Sequence, residues 1–281
     1  MIQFLLPLLS LLVVSDHETT SRFSQAPKDN PAYVIYTSEG KEVDYSKMFR
    51  DVHEADVLFI GELHNNPIIH WIQLEITKKM IDARKGKVMM GAEMFESDNQ
   101  LIMDEYLKGH ISEKNFLNEM RLWTNYETDY RPLVELAKEH DLPFIATNVP
   151  RRYASRVYHA GLTSLDSLDD DAKQFIAPLP IEYDPNVACY RKMIEMSGGH
   201  GGENLPKAQA LKDATMAHFI LENWKEGWSF IHYNGAYHSD DYQGIVWYVK
   251  RQNPSLKIKT ITTVLQDDVS FLMESNMGKA D

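Results

Sequence analysis

The chain has 281 residues, of which 43% are hydrophobic and 25% are charged, and its formal net charge at pH 7 is -12. These proportions are ordinary for a soluble globular protein, and the length allows one large domain with a substantial insertion. The acidic balance argues against a nucleic-acid partner, because phosphate binding requires a cationic surface. The single cysteine, Cys189, excludes an internal disulfide and a cysteine-rich metal site.

The N-terminus carries an apolar run at residues 4–14, which Ser15 and Asp16 close. Its length is typical of the core of a secretory signal and is too short for a membrane-spanning helix. No basic residue precedes the run, and neither an Ala-x-Ala site nor a lipobox cysteine follows it. We expect residues 1–30 to be a signal and tether segment, and the protein to be exported to the periplasm or cell envelope. A frayed apolar N-terminus is the alternative interpretation.

Strands and helices alternate along the rest of the chain. A hairpin and a short helix are predicted first, at residues 33–44 and 45–54. Short apolar runs predict buried strands at residues 57–60, 88–92, 143–147, 228–233 and 257–264. Apolar residues at helical spacing predict helices at residues 67–86, 99–121, 132–140, 154–175 with a break at Gly161, 205–224 and 242–252. The alternation predicts an α/β fold whose mostly parallel central sheet is flanked by helices.

A smaller helical lobe is expected to be inserted into this α/β core. We expect residues 31–281 to form a single domain, with helical insertions at about residues 96–135 and 160–205. The glycine-rich sequence at residues 197–202 predicts a flexible loop.

The tetrapeptide Gly-x-x-His occurs twice, at residues 61–64 and 235–238, each time directly after a predicted buried strand. A glycine that leaves a strand lets the backbone turn sharply and approach a ligand closely. Parallel α/β sheets bind ligands in the crevice outside the carboxyl ends of their strands. We therefore expect His64 and His238 to belong to one site.

Other polar residues come at the same strand ends. Glu62 follows the first strand and Glu93 ends the second. The third is followed by Asn148 and by Arg151 or Arg152, one of which is expected to be a solvated surface residue. If the sheet is parallel, these groups gather at one edge. Glu62, Glu93 and Arg151 are then candidates for acid–base catalysis, with the arginine binding an anion. Glu62 has an alternative role as the cap of a neighbouring turn.

The same edge can also be interpreted as a metal site. Two histidines and a carboxylate can hold a divalent ion while leaving positions open for water or substrate. His64, Glu93 and His238 are the candidate ligands. The alternative for both histidines is a structural, hydrogen-bonded role.

The predicted helix at residues 205–224 carries Gln209 and Asp213 four residues apart, so both lie on one face. That face either looks into the cleft or forms a solvated polar stripe. His70 and His232 are expected to be structural, the first near a helix start and the second inside a strand.

Several of these motifs together resemble a known family. The residues that carry the resemblance are 61–67 (GELHNNP), 93–95 (EMF) with Gln100, 148–151 (NVPR), 208–217 (AQALKDATMA) and 234–238 (NGAYH). In this order they are similar to the ChaN family of iron-regulated, haem-binding proteins, many of them lipoproteins. The family belongs to the wider Tiki/TraB/erythromycin-esterase superfamily, and the similarity spans roughly residues 32–265.

The resemblance implies an α/β core with a helical lobe and a role in haem or iron uptake. It also implies a tyrosine ligand to haem and cofacial haems shared by two subunits. On this basis Tyr190 and His200, in or beside the glycine-rich segment, are the expected cofactor-binding residues. The expected partners are haem, a second copy of the chain that shares the haem, and a membrane or outer-membrane receptor.

The wider superfamily implies a second role. Its paired Gly-x-x-His, with a glutamate and an arginine, is associated with metal-dependent hydrolysis in the Tiki branch. Carried over to this chain, those roles fall on His64, His238, Glu93 and Arg151. The sequence thus predicts an exported haem-binding protein, with a hydrolase that uses a divalent metal ion as the alternative.

Overall fold

A short β-hairpin comes first in the computed structural model, which describes residues 31–196 and 202–281. Its strands, β1 (Ile35–Tyr36) and β2 (Glu42–Val43), pair antiparallel and confirm the predicted hairpin. Helix α1 (Tyr45–Val52) follows, with the Asp44 carboxylate accepting a hydrogen bond from the Lys47 amide at 2.6 Å. This N-cap satisfies one of the amides that a helix start leaves without a partner.

The central sheet has five strands, all parallel to their neighbours. They are β3 (Val57–Glu62), β4 (Val88–Glu96), β5 (Phe144–Asn148), β6 (Ser229–Gly235) and β7 (Ile258–Ile261). Their spatial order is β5-β4-β6-β3-β7. The strands β3 and β6 are therefore neighbours, and they bring together the two Gly-x-x-His segments that are far apart in sequence.

Helices cover both faces of the sheet, which confirms the predicted α/β fold. They are α2 (Pro67–Ala83), α3 (Gln100–Leu107), α4 (Glu113–Glu119), α5 (Arg131–Glu139), α6 (Arg151–Ala160), α7 (Asp170–Lys173), α8 (Ala188–Met196), α9 (Asn204–Asn223) and α10 (Ile245–Gln252). Side chains alternate along a strand, so Leu58 and Ile60 pack with α1 to α5. Val57 and Phe59 pack on the other face with α6, α8, α9 and α10.

Some boundaries differ from the prediction. The segment predicted as one helix at residues 99–121 is two helices, α3 and α4, with Gly109 between them at φ +72°. This backbone conformation strains any residue with a Cβ and ends the helical run. Glu93 does not end its strand, because β4 continues through it to Glu96.

Neither motif glycine has the positive φ that only glycine adopts easily: Gly61 lies inside β3, and Gly235, at φ -55°, ends β6 directly before a single 3₁₀ turn. The structure gives a different reason for glycine. A Cβ on Gly61 would lie 2.9 Å from the Ala236 Cα, and one on Gly235 would lie 2.9 Å from the His64 imidazole. Such distances are below van der Waals contact, so close packing rather than chain reversal requires glycine here.

The carboxyl ends of β3, β4, β5 and β6 open onto the same edge, which we call the rim. At the rim Glu62 pairs in register with Gly235, and Glu96 pairs with Asn148. Within residues 31–196 and 202–281, no helix is long and apolar enough to cross a membrane. The predicted signal segment at residues 1–30 lies outside the described residues, and the predicted domain division stays a prediction.

Candidate functional site

In the first Gly-x-x-His copy, the buried carboxylate of Glu62 contacts the imidazole of His64. Glu62 is the last residue of β3 and is 1% exposed. Its Oε1 lies 2.9 Å from the His64 Nδ1. The two side chains, two residues apart at the end of a strand, thus form one pair.

Two buried donors complete the surroundings of this carboxylate. The Tyr130 hydroxyl donates to Glu62 Oε1 at 2.7 Å, and the Gln73 amide donates to Oε2 at 2.7 Å. His70 packs edge-on against Tyr130, 5.2 Å between ring centres, and its Nδ1 lies 3.1 Å from the Gln73 Oε1. These bonds compensate for the burial of Glu62 and fix its orientation. His70 thus contacts the two residues that hold Glu62.

His64 is the accessible member of the site. Its side chain is 38% exposed and meets the ring of Trp123 edge-on at 4.9 Å between centres. Trp123 is itself 37% exposed. The hydrogen bond to Glu62 raises the pKa of His64 against the opposing effect of partial burial. With Nδ1 directed to Glu62, Nε2 is the ring nitrogen left for a ligand or a proton transfer.

The second copy places its histidine between two carboxylates. A single turn of 3₁₀-helix, Ala236–His238, follows β6 directly and directs the His238 ring inward, where it is 5% exposed. Its Nε2 lies 3.2 Å from the Glu93 Oε1, and its Nδ1 bonds the Asp213 carboxylate. Asp213, on α9, is 1% exposed, so the face it shares with Gln209 looks into the cleft rather than into solvent.

These contacts reverse the usual effect of burial on the pKa of His238 and Glu93, but not on that of Asp213. Burial alone would lower the pKa of His238, but the charges of Glu93 and Asp213 and their hydrogen bonds raise it to about 10. Burial opposes ionisation of Glu93, yet the His238 cation and the Gly235 amide hold the pKa of that carboxyl below its usual range. Burial raises the pKa of Asp213. His238 is therefore an imidazolium ion at neutral pH.

The two copies converge at Gly235. Its amide donates to the Glu93 Oε2 at 2.7 Å. A Cβ at this position would lie 2.9 Å from the His64 Nε2 and 3.4 Å from the Glu93 Oε2. The accessible imidazole and the buried carboxylate thus border the same small space, and the structure brings the histidines of both copies to one rim.

Asn148 and Arg151 follow β5 at the same edge. The Asn148 amide donates to the Glu93 carbonyl at 2.8 Å, which leaves its Oδ1 buried without a hydrogen-bond partner. A buried acceptor without a partner is costly and suits a ligand that carries a donor. Arg151 begins α6 and is exposed.

Of the two residues expected to bind the cofactor, the structure describes Tyr190 but not His200. Tyr190 is fully buried on α8, where its hydroxyl donates to the Asp213 Oδ2 at 2.9 Å. Burial and the neighbouring Asp213 carboxylate raise the pKa of Tyr190. The tyrosine therefore belongs to the same buried network as His238. His200 lies outside the described residues.

No ready metal site appears in the described residues, 31–196 and 202–281. Within them, no group of three or more His, Cys, Asp or Glu side chains is arranged to hold a metal ion. Both ring nitrogens of His238 are engaged by carboxylates, so coordination by His238 would require Nε2 to leave Glu93. The metal role of His64, Glu93 and His238 stays a prediction.

Sequence reasoning missed Tyr130 and Gln73, which hold Glu62. A signal existed for Gln73, because it is a polar residue on the buried face of α2 beside Ile69, Ile72 and Ile76. Tyr130 carried no such signal, since a tyrosine fills an ordinary core equally well. His232 is fully buried, as predicted, and its Nε2 lies 2.8 Å from the Thr147 hydroxyl.

The sequence matches a family described as "Haem-binding uptake, Tiki superfamily, ChaN" over residues 48–249. That range contains every rim residue named above. A comparison with curated proteins finds no match.

Among solved structures, the chain is similar to ChaN of Campylobacter jejuni, described under "cofacial heme binding". The TM-score is 0.64 and the identity 18%, over 89% of this chain and 94% of that one. The C-terminal region of Pasteurella multocida toxin gives a TM-score of 0.46 at 15% identity, over 84% and 27% of the two chains. The RRSP effector domain of Vibrio vulnificus gives 0.41 at 17% identity, over 80% and 37%. Of these three structures, the ChaN structure has the TM-score that shows a shared fold.

Proposed function

The chain belongs to the ChaN family of haem-binding uptake proteins in the Tiki superfamily, and from this membership we propose that it binds haem and serves in haem or iron uptake. The match over residues 48–249 is the observation that carries the proposal. The solved structure with the same fold is described under cofacial haem binding, which supports haem as the ligand of this chain as well.

The rim offers a donor that fits haem iron. Proteins hold haem iron through histidine, cysteine, methionine or tyrosine side chains. His64 is partly exposed, has Nδ1 fixed by Glu62, and lies beside the partly exposed ring of Trp123. A carboxylate on the second ring nitrogen orients a ligating histidine and increases its basicity. Haem bound there would have an imidazole donor and an aromatic wall.

A haemin titration of the purified full chain, followed by absorbance, tests the proposal. We expect a saturable Soret band and, for the His64→Ala variant, at least tenfold weaker binding. His140→Ala is the matched control, because this exposed histidine follows α5 at the opposite end of the sheet. Tyr190→Phe and His200→Ala test the two residues that the family resemblance suggested. Absorbance that rises without saturation in the wild type would contradict haem binding.

Export and assembly are finer parts of the proposal. The apolar run at residues 4–14 supports export to the periplasm or cell envelope. Cell fractionation, with N-terminal sequencing of the mature protein, should find the chain outside the cytoplasm and shortened within residues 1–30.

The similarity to a cofacial haem protein supports a homodimer that shares haem. Light scattering should then show a monomer-to-dimer shift on haemin addition. Pull-down on envelope fractions tests for a receptor.

A second candidate function is hydrolysis at the rim. As the sequence predicted it, the hydrolase would use a divalent metal ion to supply an activated water. Two histidines and three carboxylates at one sheet edge favour this candidate, with His64 paired to Glu62 and His238 bonded to two further carboxylates. Glu62 fixes the His64 tautomer so that Nε2 can accept a proton, and the exposed Arg151 can bind an anionic substrate.

Metal analysis and ester or peptide hydrolysis by the purified chain test this second candidate. It predicts a bound divalent ion that is lost in His64→Ala, together with activity that falls in Glu93→Gln and Arg151→Ala. Activity that is equal in the wild type and in all three variants would contradict it.

A further inference from the structure

A second feature of the described chain is an apolar cavity that none of the rim residues bearing the chemistry lines. Its volume is about 320 Å³, at the lower end of the range for sites that hold small organic ligands. Its walls come from the β1–β2 hairpin, α1, the first turns of α2, the end of β7 and the segment at residues 262–281. The hairpin and that last segment lie outside the range matched by the family, so the match assigns no role to the cavity.

The lining is mainly aliphatic. Ile35, Val52, Ile69, Ile72 and Val264 are among the lining residues. An open apolar surface of this kind is unfavourable in water and gains free energy when an apolar ligand covers it. At about 30 Å³ per water-sized group, the volume holds roughly ten such groups in a row or cluster. That size suits a single aliphatic chain of medium length.

The charges at the cavity indicate a neutral head group. Its charged lining residues within the described chain are Asp51 and Asp281, with no lysine, arginine or histidine. Asp51 is already paired with Lys47, and Asp281 accepts from Lys259 at 2.8 Å. A carboxylate ligand would find no free cation here, and a cationic ligand would find no free carboxylate.

Neutral polar groups and exposed apolar side chains complete the opening. Asn66, Asn276 and Thr262 line the cavity. They already bond the Ile68 amide, Gln266 and Asp240 in turn, and each keeps one further donor or acceptor for a neutral ester or hydroxyl. Leu265, which also lines it, is 76% exposed, and Phe271 of the same segment is 54% exposed. Apolar side chains at the opening can contact the part of a lipid chain that is too long for the cavity.

We propose that this cavity binds one acyl chain of an uncharged lipid, such as a monoacylglycerol. The site is separate from the rim and does not depend on haem binding. Its ligand class follows from the aliphatic lining, the volume and the neutralised charges around it.

Calorimetric titration of the full chain with 1-monolauroylglycerol, below its aggregation concentration, tests the proposal. We expect saturable binding of one molecule per chain, with laurate and dodecyltrimethylammonium binding at least tenfold more weakly. Val34→Trp and Val264→Trp fill the cavity from two walls and should each raise the Kd at least tenfold. Val187→Trp, at a half-buried valine away from the cavity, is the matched control and should leave the Kd unchanged.

A photoreactive diazirine analogue of the same ester tests the location in the wild-type chain, independently of any variant. Cross-linked peptides should map to residues 33–37 and 260–272. Absence of saturable binding, equal binding of laurate, or cross-links elsewhere would overturn the proposal. Displacement of the label by equimolar haemin would overturn it too, since the cavity would then belong to haem.

Discussion

The two Gly-x-x-His copies have the same pattern at the ends of neighbouring strands, yet their histidines differ in chemistry. His64 is partly exposed and has one carboxylate partner, Glu62. His238 is buried and bonded to two carboxylates, Glu93 and Asp213. The first can meet a ligand and exchange a proton, whereas the second is a fixed cation that holds β4, β6 and α9 together.

The difference shows that the tetrapeptide determines where its histidine lies, but not whether that histidine is protonated. The glycines allow close packing at the rim, but the electrostatic surroundings come from elements distant in sequence. A buried charge is stable only with partners in good geometry, and the second copy has two. The predictions below test this division between an accessible and a fixed histidine.

Removal of each imidazole should have very unequal effects on stability. His238→Ala leaves Glu93 and Asp213 buried without their cation and should lower the free energy of unfolding by about 3–5 kcal/mol. His64→Ala should cost only about 1 kcal/mol, because Glu62 keeps its bonds from Tyr130 and Gln73. Urea denaturation at pH 7 measures both. Losses that agree within error would contradict the distinction.

Alkaline pH should weaken the second copy without any substitution. The folded-state pKa of His238 is raised from 6.5 to about 10. Its stabilisation is therefore fully present below pH 6.5 and is lost as the pH rises through 10. The loss should be a large part of the His238→Ala effect, because deprotonation removes the same cation. Urea midpoints from pH 6 to 10 should fall in the wild type and stay flatter in His238→Gln. Parallel curves would refute this.

His232 isolates the effect of burial without a carboxylate partner. Burial lowers the pKa of His232 to about 4. Its contribution is therefore present above pH 6.5 and is lost as the pH falls through 4, the reverse of His238. At 1.36 kcal/mol per pKa unit the loss is at most about 3 kcal/mol. Thermal unfolding between pH 7 and 4 should show a smaller decline in His232→Asn than in the wild type.

Alanine substitutions at the two motif glycines should lower stability by different amounts, because the added methyl group meets different neighbours. In Gly61→Ala the new Cβ meets the Ala236 backbone, which cannot move away, so we expect a loss of about 1–3 kcal/mol. In Gly235→Ala it meets the His64 ring, which is partly exposed and can shift, so the stability loss should be smaller. Haemin affinity should instead fall more in Gly235→Ala than in Gly61→Ala, because only the former displaces the His64 ring. Equal responses of both variants in both measurements would argue against an accessible His64.

Local patterns were enough to predict most elements. Asn66 and Pro67 correctly marked the start of α2, and the apolar runs marked the five strands of the sheet. The convergence of the rim residues followed from parallel pairing alone. The strand order and the adjacency of β3 and β6 did not, because pairing between distant segments leaves no local signature.

The site was less predictable than the fold. The sequence placed Asp213 on a helix face, but only packing of α9 against the rim decides that this face is buried. Glu93 was predicted at the end of a strand, and its ion pair with His238 depends on a turn of 3₁₀-helix that no pattern indicated. Protonation states follow from such tertiary neighbours, so they could not be derived from the motif.

The different protonation of the two histidines is the claim on which the site rests, and NMR of the imidazole nitrogens in ¹⁵N-histidine-labelled protein tests it most directly. Between pH 5 and 9 we expect His238 to keep protons on both ring nitrogens, while His64 titrates above its ordinary pKa of 6.5. Assignment would use His64→Ala and His238→Gln. Loss of a proton from His238 near pH 6.5, on the same curve as His64, would contradict the account.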